Sequence, residues 1–322
     1  MGMLCVIGES PALRSMMQGG FELRTPFAPA RLYELAKMDG AIILSDDLET
    51  ICWANVQLEP DHRTPSSETG IRHRTAERVA RRSEHVVLAV SQRRRRVTVY
   101  RKAERYVLQD LGYLLSKANQ ALQTLEKYRL VADAAIARLD GLELQDEVIL
   151  DDVAGTLTAI ETVLRLAREV QEYMIELGQE GRLLRLQLEQ LTDGLSETET
   201  WVLRDYRRDS VAGADLCGEV RKLTPNELSD LRRLGDLLGL SAEGHEGETH
   251  MRPRGYRLLH RMPRLTDQLI ENVVTHFGTL QNVMAADTIA LDAVTGIGQS
   301  RAGAIQRGLN TLRRQVLSRF QP

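Results

Sequence analysis

The side chains best suited to chemistry lie in two short segments of the N-terminal third. The first, Asp39-Gly40-Ala41, offers one carboxylate and a glycine beside an apolar run. The second, residues 69–75, offers a glycine, three consecutive basic side chains and a hydroxyl. A carboxylate can hold a magnesium-type cation, and arginines beside a glycine turn can bind phosphate. Together the two segments indicate phosphate chemistry.

The second segment combines a glycine turn with a predicted helix start. Gly70 is followed by Ile71, Arg72, His73, Arg74 and Thr75. Such a turn presents N–H groups and a favourable dipole to an anion, and arginine forks suit phosphate oxygens, so triphosphate binding is one interpretation. The alternative is a solvated basic face on a surface helix. His73, between two cations, suits a neutral hydrogen-bonding role at least as well as an acid–base role.

Asp39 lies at the predicted junction between a helix over residues 29–38 and a strand that starts at Gly40. A carboxylate at a sheet edge, followed by a residue without a side chain, can hold a divalent cation and let a nucleotide approach the backbone. Taken alone, the Asp-Gly pair would be an ordinary turn. The order and glycine context of the two segments favour one shared site.

The elements around these segments predict an α/β domain with a mixed sheet flanked by helices. Four short apolar or β-branched runs predict strands, at residues 4–7, 40–44, 86–90 and 97–100. Pro29 marks the start of a helix, because its missing N–H costs nothing there. The run Arg93–Arg96 lies between two predicted strands and indicates a solvated hairpin loop. Ser91, at the end of the earlier strand, is placed to touch a ligand.

The middle third has helical periodicity. From Leu111 onward, apolar residues recur at spacings typical of one helix face, and similar stripes cross residues 153–175 and 183–195. Glycine and acidic residues over 241–248 predict a flexible joint. We therefore predict three domains, over residues 1–108, 109–248 and 249–322.

The last domain contains one diagnostic turn, Thr295-Gly296-Ile297-Gly298, which Ser300 and Arg301 follow at the start of another helix. Glycines on both sides of one apolar residue allow a tight turn whose N–H groups can contact phosphate without reading bases. Residues 251–322 carry 10 basic and 4 acidic side chains, whereas residues 131–250 carry 12 and 26. This asymmetry favours a nucleic-acid partner for the C-terminal module, with protein binding by the same turn as the alternative.

Composition argues against a membrane protein, a secreted protein and a protein with a cysteine metal site. The chain has 322 residues and 43% hydrophobic content, enough for two or three domains with buried cores. No apolar run is long enough to span a membrane, and Met1–Val6 lacks the features of a signal peptide. We expect a cytoplasmic protein with no membrane partner. Cys5, Cys52 and Cys217 lack metal-ligand spacing and are expected to be buried thiols.

Taken together, the segments resemble the DisA family of bacterial diadenylate cyclases. Matching stretches follow the family's order and cover nearly the whole chain, at residues 32–44, 67–78, 117–128, 176–178, 253–257 and 296–298. The Asp-Gly-Ala and Arg-His-Arg motifs in this order are specific. The resemblance implies an α/β cyclase domain, an all-α spine and a C-terminal helix-hairpin-helix domain.

By that resemblance, the first domain condenses two ATP into cyclic di-AMP and two pyrophosphates with Mg²⁺ or Mn²⁺, at two cyclase domains that face each other. Asp39 would bind the metal and activate the 3′-hydroxyl. Arg72, His73 and Arg74 would act on the phosphates as catalytic residues. The remaining implied ATP contacts are Gly40, Ala41, Leu58, Gly70, Ile71, Thr75 and Ser91.

The resemblance also implies a homo-octamer that acts in DNA damage and repair, with the cyclase regulated by branched DNA such as Holliday junctions. The DNA contacts would come from residues 295–298, Ser300 and Arg301, mainly to backbone phosphate and hence dependent on salt. The alternative is a non-catalytic junction-binding protein with a vestigial nucleotide domain. Relatives usually have an extra helical segment before the strand at residues 3–7, and often a threonine or small residue at the position of Ile71.

Overall fold

The computed structural model describes residues 2–93, 96–240, 247–262 and 265–319. They belong to two compact units, Met1–Leu115 and Ser116–Pro322. Two predicted features fall partly outside the described residues: Arg94 and Arg95 of the hairpin loop, and residues 241–246 of the joint.

The first unit contains one mixed eight-stranded sheet. Its strands are β1 (Met3–Ile7), β2 (Met17–Gln18), β3 (Phe21–Pro26), β4 (Ala41–Leu44), β5 (Thr50–Leu58), β6 (Val86–Ser91), β7 (Arg96–Arg101) and β8 (Glu104–Val107). The order is β2-β5-β4-β1-β6-β7-β8, and β3 also pairs with β5. Strands β1 and β4 run parallel, whereas β1 and β6 run antiparallel. The predicted α/β domain with a mixed sheet is confirmed.

Alternating residues of the central strands bury two faces of this sheet. The first unit has the helices α1 (Pro11–Arg14), α2 (Pro29–Leu35) and α3 (Ile71–Ser83). On one face, Leu4 and Ile43 pack with Val79 of α3, and on the other, Cys5 and Ile42 pack near α2. The helix predicted over residues 29–38 is too long. It ends at Leu35, and the next residues form single turns, because the chain must reverse to enter β4.

The second unit consists of helices. They are α4 (Leu111–Gln145, which starts in the first unit), α5 (Leu150–Leu177), α6 (Arg182–Thr192), α7 (Leu195–Tyr206), α8 (Leu216–Lys222), α9 (Pro225–Leu228), α10 (Leu231–Leu238), α11 (Tyr256–His260), α12 (Asp267–Phe277), α13 (Leu280–Ala285), α14 (Thr288–Asp292) and α15 (Gln299–Arg319). The predicted long helical region is confirmed. Along α4, Ala118, Leu122 and Leu125 are buried as predicted, whereas Leu111 is exposed.

The C-terminal helices have a core of their own, in which Leu259, Val273 and Ile305 are buried together. A buried polar network also ties them to α4. Arg257 of α11 forms ion pairs with Asp140 and with Glu143 of α4, the latter at 2.7 Å. The predicted domain boundary at residues 248 and 249 stays a prediction.

Within the described part of the chain, no helix combines the length and the apolar content that crossing a membrane requires. The cysteines are unpaired thiols: Cys5 and Cys52 are buried, as predicted, and Cys217 is partly buried. Burial raises the pKa of Cys5 to about 12, so this thiol is protonated at neutral pH.

Candidate active site

The sheet topology brings four predicted site positions to one edge. Gly40 and Ala41 lie at the start of β4, and Leu58 ends the antiparallel neighbour β5. Ser91 ends β6, which is antiparallel to β1, and β1 is parallel to β4. The start of β4 and the ends of β5 and β6 therefore share one edge of the sheet.

An ion pair joins this edge to the start of α3. Arg72 Nη2 donates to Asp39 Oδ1 at 2.8 Å, and the two side chains are 45% and 95% exposed. The guanidinium also lies against the chain that enters β1. It is so close to Gly2 that a Cβ on this residue would lie 2.3 Å from Arg72 Nη1. The two predicted motifs thus meet at one surface.

Gly40 is required by packing within the sheet. A Cβ on this residue would lie 2.4 Å from the carbonyl carbon of Asn55 and 2.5 Å from its Cα. Asn55 has φ of 54°, and the β4–β5 register shifts between Ala41 and Ile43. The glycine of the Asp-Gly-Ala motif therefore accommodates an irregular β5 backbone, and this packing fixes the chain directly after Asp39.

Ala41 and Leu58 present little side chain to a ligand. They are 2% and 8% exposed, and both side chains belong to the core between the sheet and α3. Any contact of Ala41 or Leu58 with ATP would therefore be made by backbone groups. Ser91 is partly exposed at the same edge.

The start of α3 has the features of an anion site. Gly70 is the N-cap in an extended conformation, and it supplies no side-chain acceptor to the first-turn amides of this 13-residue helix. Arg74 Nη2 donates to the carbonyl of Thr69 at 3.1 Å, which fixes the turn before the helix. Ile71 is 83% exposed and Thr75 is partly buried.

A chain of hydrogen bonds that the sequence analysis did not predict holds His73. Its Nδ1 lies 3.0 Å from the Tyr100 hydroxyl, which donates to Glu68 Oε1 at 2.7 Å. Arg105 Nε lies 3.0 Å from the same carboxylate oxygen. Because the tyrosine proton goes to Glu68, its oxygen accepts from His73 Nδ1–H, and the neutral ring carries its lone pair on Nε2. The tyrosine hydroxyl in the predicted strand at residues 97–100 is the sequence feature that could have indicated this contact with His73.

A second unpredicted residue, Glu77, anchors the loop before α3. Its Oε2 accepts from the Ser66 hydroxyl at 2.6 Å and from the Ser67 amide at 3.0 Å. Burial raises its pKa, but the hydrogen bonds from Ser66 and Arg81 outweigh burial and hold the pKa below its ordinary value. Arg78 Nε donates to the carbonyl of Thr64 at 2.9 Å, so two α3 side chains fix the loop that leads to Gly70.

The donor set restricts how a cation could bind. Within the described residues, no three His, Cys, Asp or Glu side chains are grouped to hold a metal ion. Asp39 offers an exposed carboxylate. This arrangement suits Mg²⁺ or a similar ion that takes most of its ligands from phosphate and water. It does not suit an ion held entirely by protein side chains.

The predicted DNA-binding residues lie in the second unit, in the turn between α14 and α15. Gly296 has φ of +84°, and the buried Ile297 anchors the turn in the C-terminal core. Asn272 Nδ2 donates to the carbonyl of Thr295 at 2.8 Å, and Arg301 Nη1 donates to that of Gly296 at 2.9 Å. Two further exposed positions on this turn and helix start are Gly298 and Ser300.

Comparison with known proteins identifies the two parts of the chain. Residues 1–105 match the family model "DisA bacterial checkpoint controller nucleotide-binding", and residues 108–246 match "DisA bacterial checkpoint controller linker region". The DNA integrity scanning protein DisA of Symbiobacterium thermophilum is 48% identical over 98% of this chain and 89% of its own length. The chain belongs to the DisA family. The DisA proteins of Carboxydothermus hydrogenoformans and Bacillus licheniformis are 46% and 45% identical, over 98% and 97% of this chain and 90% and 87% of their own.

Membership confirms the predicted resemblance and identifies the DisA nucleotide-binding module with the unit that carries Asp39 and Arg72. The sheet edge and the start of α3 are therefore the candidate nucleotide site of this DisA-family protein. The individual roles assigned to its site residues stay predictions.

Proposed function

We propose that this DisA-family protein is a diadenylate cyclase that converts two ATP into cyclic di-AMP and two pyrophosphates. In each of two steps, the 3′-oxygen of one nucleotide bonds to the α-phosphorus of the other. The bond from that phosphorus to the bridging oxygen of pyrophosphate breaks, and the proton of the 3′-hydroxyl passes to solvent water. The observation that carries the proposal is the 2.8 Å ion pair between Arg72 and Asp39, which joins the two motifs of a family nucleotide-binding module.

Positioning and charge neutralisation supply the rate acceleration in this proposal. Arg72 and Arg74 bind the triphosphate together with the first-turn amides of α3, whose uncapped start supports an anion site. His73 contacts phosphate or pyrophosphate through Nε2, because Tyr100 occupies Nδ1. Phosphate oxygens accept hydrogen bonds, so this contact uses the doubly protonated ring, in which Nε2 also donates. The proposed contacts to ribose and adenine come from Ser91 and from the backbones at Gly40 and Leu58.

Asp39 would hold Mg²⁺ or Mn²⁺, which supplies positive charge at the phosphates when it binds with ATP. The carboxylate would also accept a hydrogen bond from the 3′-hydroxyl and so orient that group for attack. Its 95% exposure supports both roles, since substrate and solvent can reach it.

The reaction needs two ATP with opposed orientations, so we propose that two nucleotide-binding modules face each other, each with one ATP. The exposure of Asp39 and of Ile71, 83% exposed, supports an open site that a second subunit completes. We further propose that this pairing belongs to a homo-octamer, in which closed symmetry satisfies every interface.

We also propose that branched DNA binds the C-terminal turn and regulates the cyclase. The excess of 10 basic over 4 acidic residues in 251–322 supports this partner, as do the exposed Gly298 and Ser300 between α14 and α15. Such a helix-hairpin-helix would contact DNA backbone phosphates. Because ATP and chromosomal DNA are both needed, we place the protein in the cytoplasm.

The direct test is incubation of the full chain with ATP and either Mn²⁺ or Mg²⁺, followed by separation and quantification of nucleotides. We expect cyclic di-AMP and pyrophosphate in a ratio of one to two, and a changed rate when four-way-junction DNA is added. A folded, oligomeric protein that makes no cyclic dinucleotide with either metal would overturn the cyclase proposal. If it still bound the junction, the non-catalytic alternative would replace it.

A further inference from the structure

The second unit contains a cleft of about 740 Å³ that the proposed cyclase does not use. Its walls come from the chain after α7, from residues 250–254 and from the C-terminal half of α12. Four arginines line it, namely Arg207, Arg208, Arg252 and Arg254. The volume is in the range of cavities that bind small organic ligands and cofactors.

The three carboxylates that line the cleft already have partners within the unit. Asp205 is buried and accepts hydrogen bonds from the amides of Gly255 and Tyr256, at 2.7 and 2.6 Å. Glu271 accepts from the Tyr256 hydroxyl at 3.0 Å and from Arg204 at 2.7 Å. The third, Asp209, forms an ion pair with Arg254. Glu271 and Asp209 therefore have arginine partners of their own, whereas Asp205 is held by backbone amides.

The other arginines are less compensated. Arg208 is exposed, and its charge reaches a carboxylate only from a distance: after the hydrogen-bonded partner Arg254, it helps, together with Arg207, to lower the pKa of Asp209. The carboxylate oxygen of Asp146 is 3.9 Å from Arg252, whose side chain is 65% exposed. Arg207 donates through Nη1 to the carbonyl of Ala212 at 2.7 Å, but its Nε is buried without an acceptor among the described residues. The exposed guanidinium groups of Arg208 and Arg252 are therefore the ones that an anion in the cleft can reach.

We propose that this cleft binds the oligophosphate group of a small molecule. Guanidinium forks match phosphate oxygens in geometry and charge, and several arginines around one concave surface suit an anion with several phosphates. A concave cleft of this volume fits a ligand of nucleotide size better than the backbone of a DNA duplex. The site lies in the second unit, whereas the proposed ATP site lies in the first.

The test titrates sodium tripolyphosphate into the full chain by calorimetry at constant ionic strength. All variants carry Arg72→Ala and Arg74→Ala, so that phosphate binding at the start of α3 does not contribute. We expect one binding site per chain. Adding Arg208→Ala and Arg252→Ala should weaken binding about tenfold or more, the loss typical of charge-assisted hydrogen bonds.

A matched control removes two other exposed arginines of the same unit, by Arg182→Ala and Arg232→Ala. It should bind tripolyphosphate as tightly as the parent. Equal weakening by both pairs of substitutions would mean general electrostatic attraction, and absence of binding to the parent would mean no site; either result overturns the proposal. Four-way-junction DNA is titrated in parallel. If only DNA binding depends on Arg208 and Arg252, the cleft belongs to a DNA surface and the proposal is wrong.

Discussion

The Arg72 guanidinium lies 2.8 Å from the Asp39 carboxylate, although 33 positions separate the two residues in the chain. Both side chains are substantially exposed, at 45% and 95%. An exposed ion pair of this kind contributes at most about 1 kcal/mol to stability. Either residue can therefore be replaced at little cost to the fold, so a loss of activity on substitution reports on the site and not on folding.

Replacing Asp39 by asparagine tests the carboxylate. We expect Asp39→Asn to lower cyclic di-AMP formation by about a hundredfold or more, because an amide neither binds the cation nor orients the 3′-hydroxyl as well. Binding of junction DNA should be unchanged. The control is Glu34→Gln, which neutralises another exposed carboxylate of the same unit. Activity retained in Asp39→Asn would remove this residue from the mechanism.

Replacing Arg72 separates charge from geometry. Arg72→Ala should lower kcat/KM for ATP by about a hundredfold, whereas Arg72→Lys should recover part of the loss, because lysine keeps the charge without the fork. Arg82→Ala serves as the control on the same helix, since Arg82 is exposed and its nearest carboxylate oxygen is 3.9 Å away. Equal losses in Arg72→Ala and Arg82→Ala would contradict a specific role.

The chain from Glu68 through Tyr100 to His73 predicts a positioning effect. Tyr100→Phe removes the hydroxyl that lies 3.0 Å from His73 Nδ1, so the ring loses its fixed orientation. We expect kcat to fall about tenfold with a smaller change in KM, and the free energy of unfolding to fall by about 1–2 kcal/mol. Steady-state kinetics and urea unfolding measure the two effects. Tyr33→Phe, at an exposed tyrosine of the same unit, should change neither.

Buried Glu199 makes stability depend on pH. Burial, and next the Glu161 carboxylate, raise its pKa from 4.5 to about 7 against the opposing charges of Arg221 and Arg168. Between these pH values the folded protein binds more protons than the unfolded chain, so the free energy of unfolding falls as pH rises from about 4.5 to 7. Glu199→Gln should therefore stabilise the protein at pH 8, by up to about 3 kcal/mol, and not at pH 4.5.

Denaturant unfolding at both pH values measures this difference. Glu197→Gln, at an exposed position two residues earlier, should have little effect at either pH. A gain from Glu199→Gln that is equal at pH 4.5 and pH 8 would contradict a raised pKa at this carboxyl.

The two glycines of the C-terminal turn should respond differently to substitution. At Gly298 no atom lies within 4 Å of an added Cβ, whereas at Gly296 the φ of +84° is unfavourable and Leu269 lies 2.9 Å away. Gly298→Val should weaken junction-DNA binding without changing the melting temperature, because the side chain only obstructs phosphate approach. Gly296→Val should weaken junction-DNA binding and also lower the melting temperature. Gly213→Val, at another open glycine, is the control; unchanged affinity of Gly298→Val across a salt titration would refute the DNA assignment.

Sequence patterns predicted the elements whose signals are local. The apolar runs at β1, β4, β6 and β7 were found, as were the long helices, because side-chain periodicity depends only on neighbouring residues. Strand β5 was not predicted. Its nine residues include Asn55 and Gln57, and it is held by pairing with β2, β3 and β4, which no local pattern records.

The sequence by itself determined the two motifs, their order and the family they indicate, because residue type and spacing are properties of the chain alone. Only the tertiary structure decided that Arg72 meets Asp39, that Gly40 makes room for Asn55 and that Tyr100 holds His73. Each of these contacts joins residues far apart in the chain. Strand register and side-chain hydrogen bonds across the fold create them, and both are set by the packing of the whole unit.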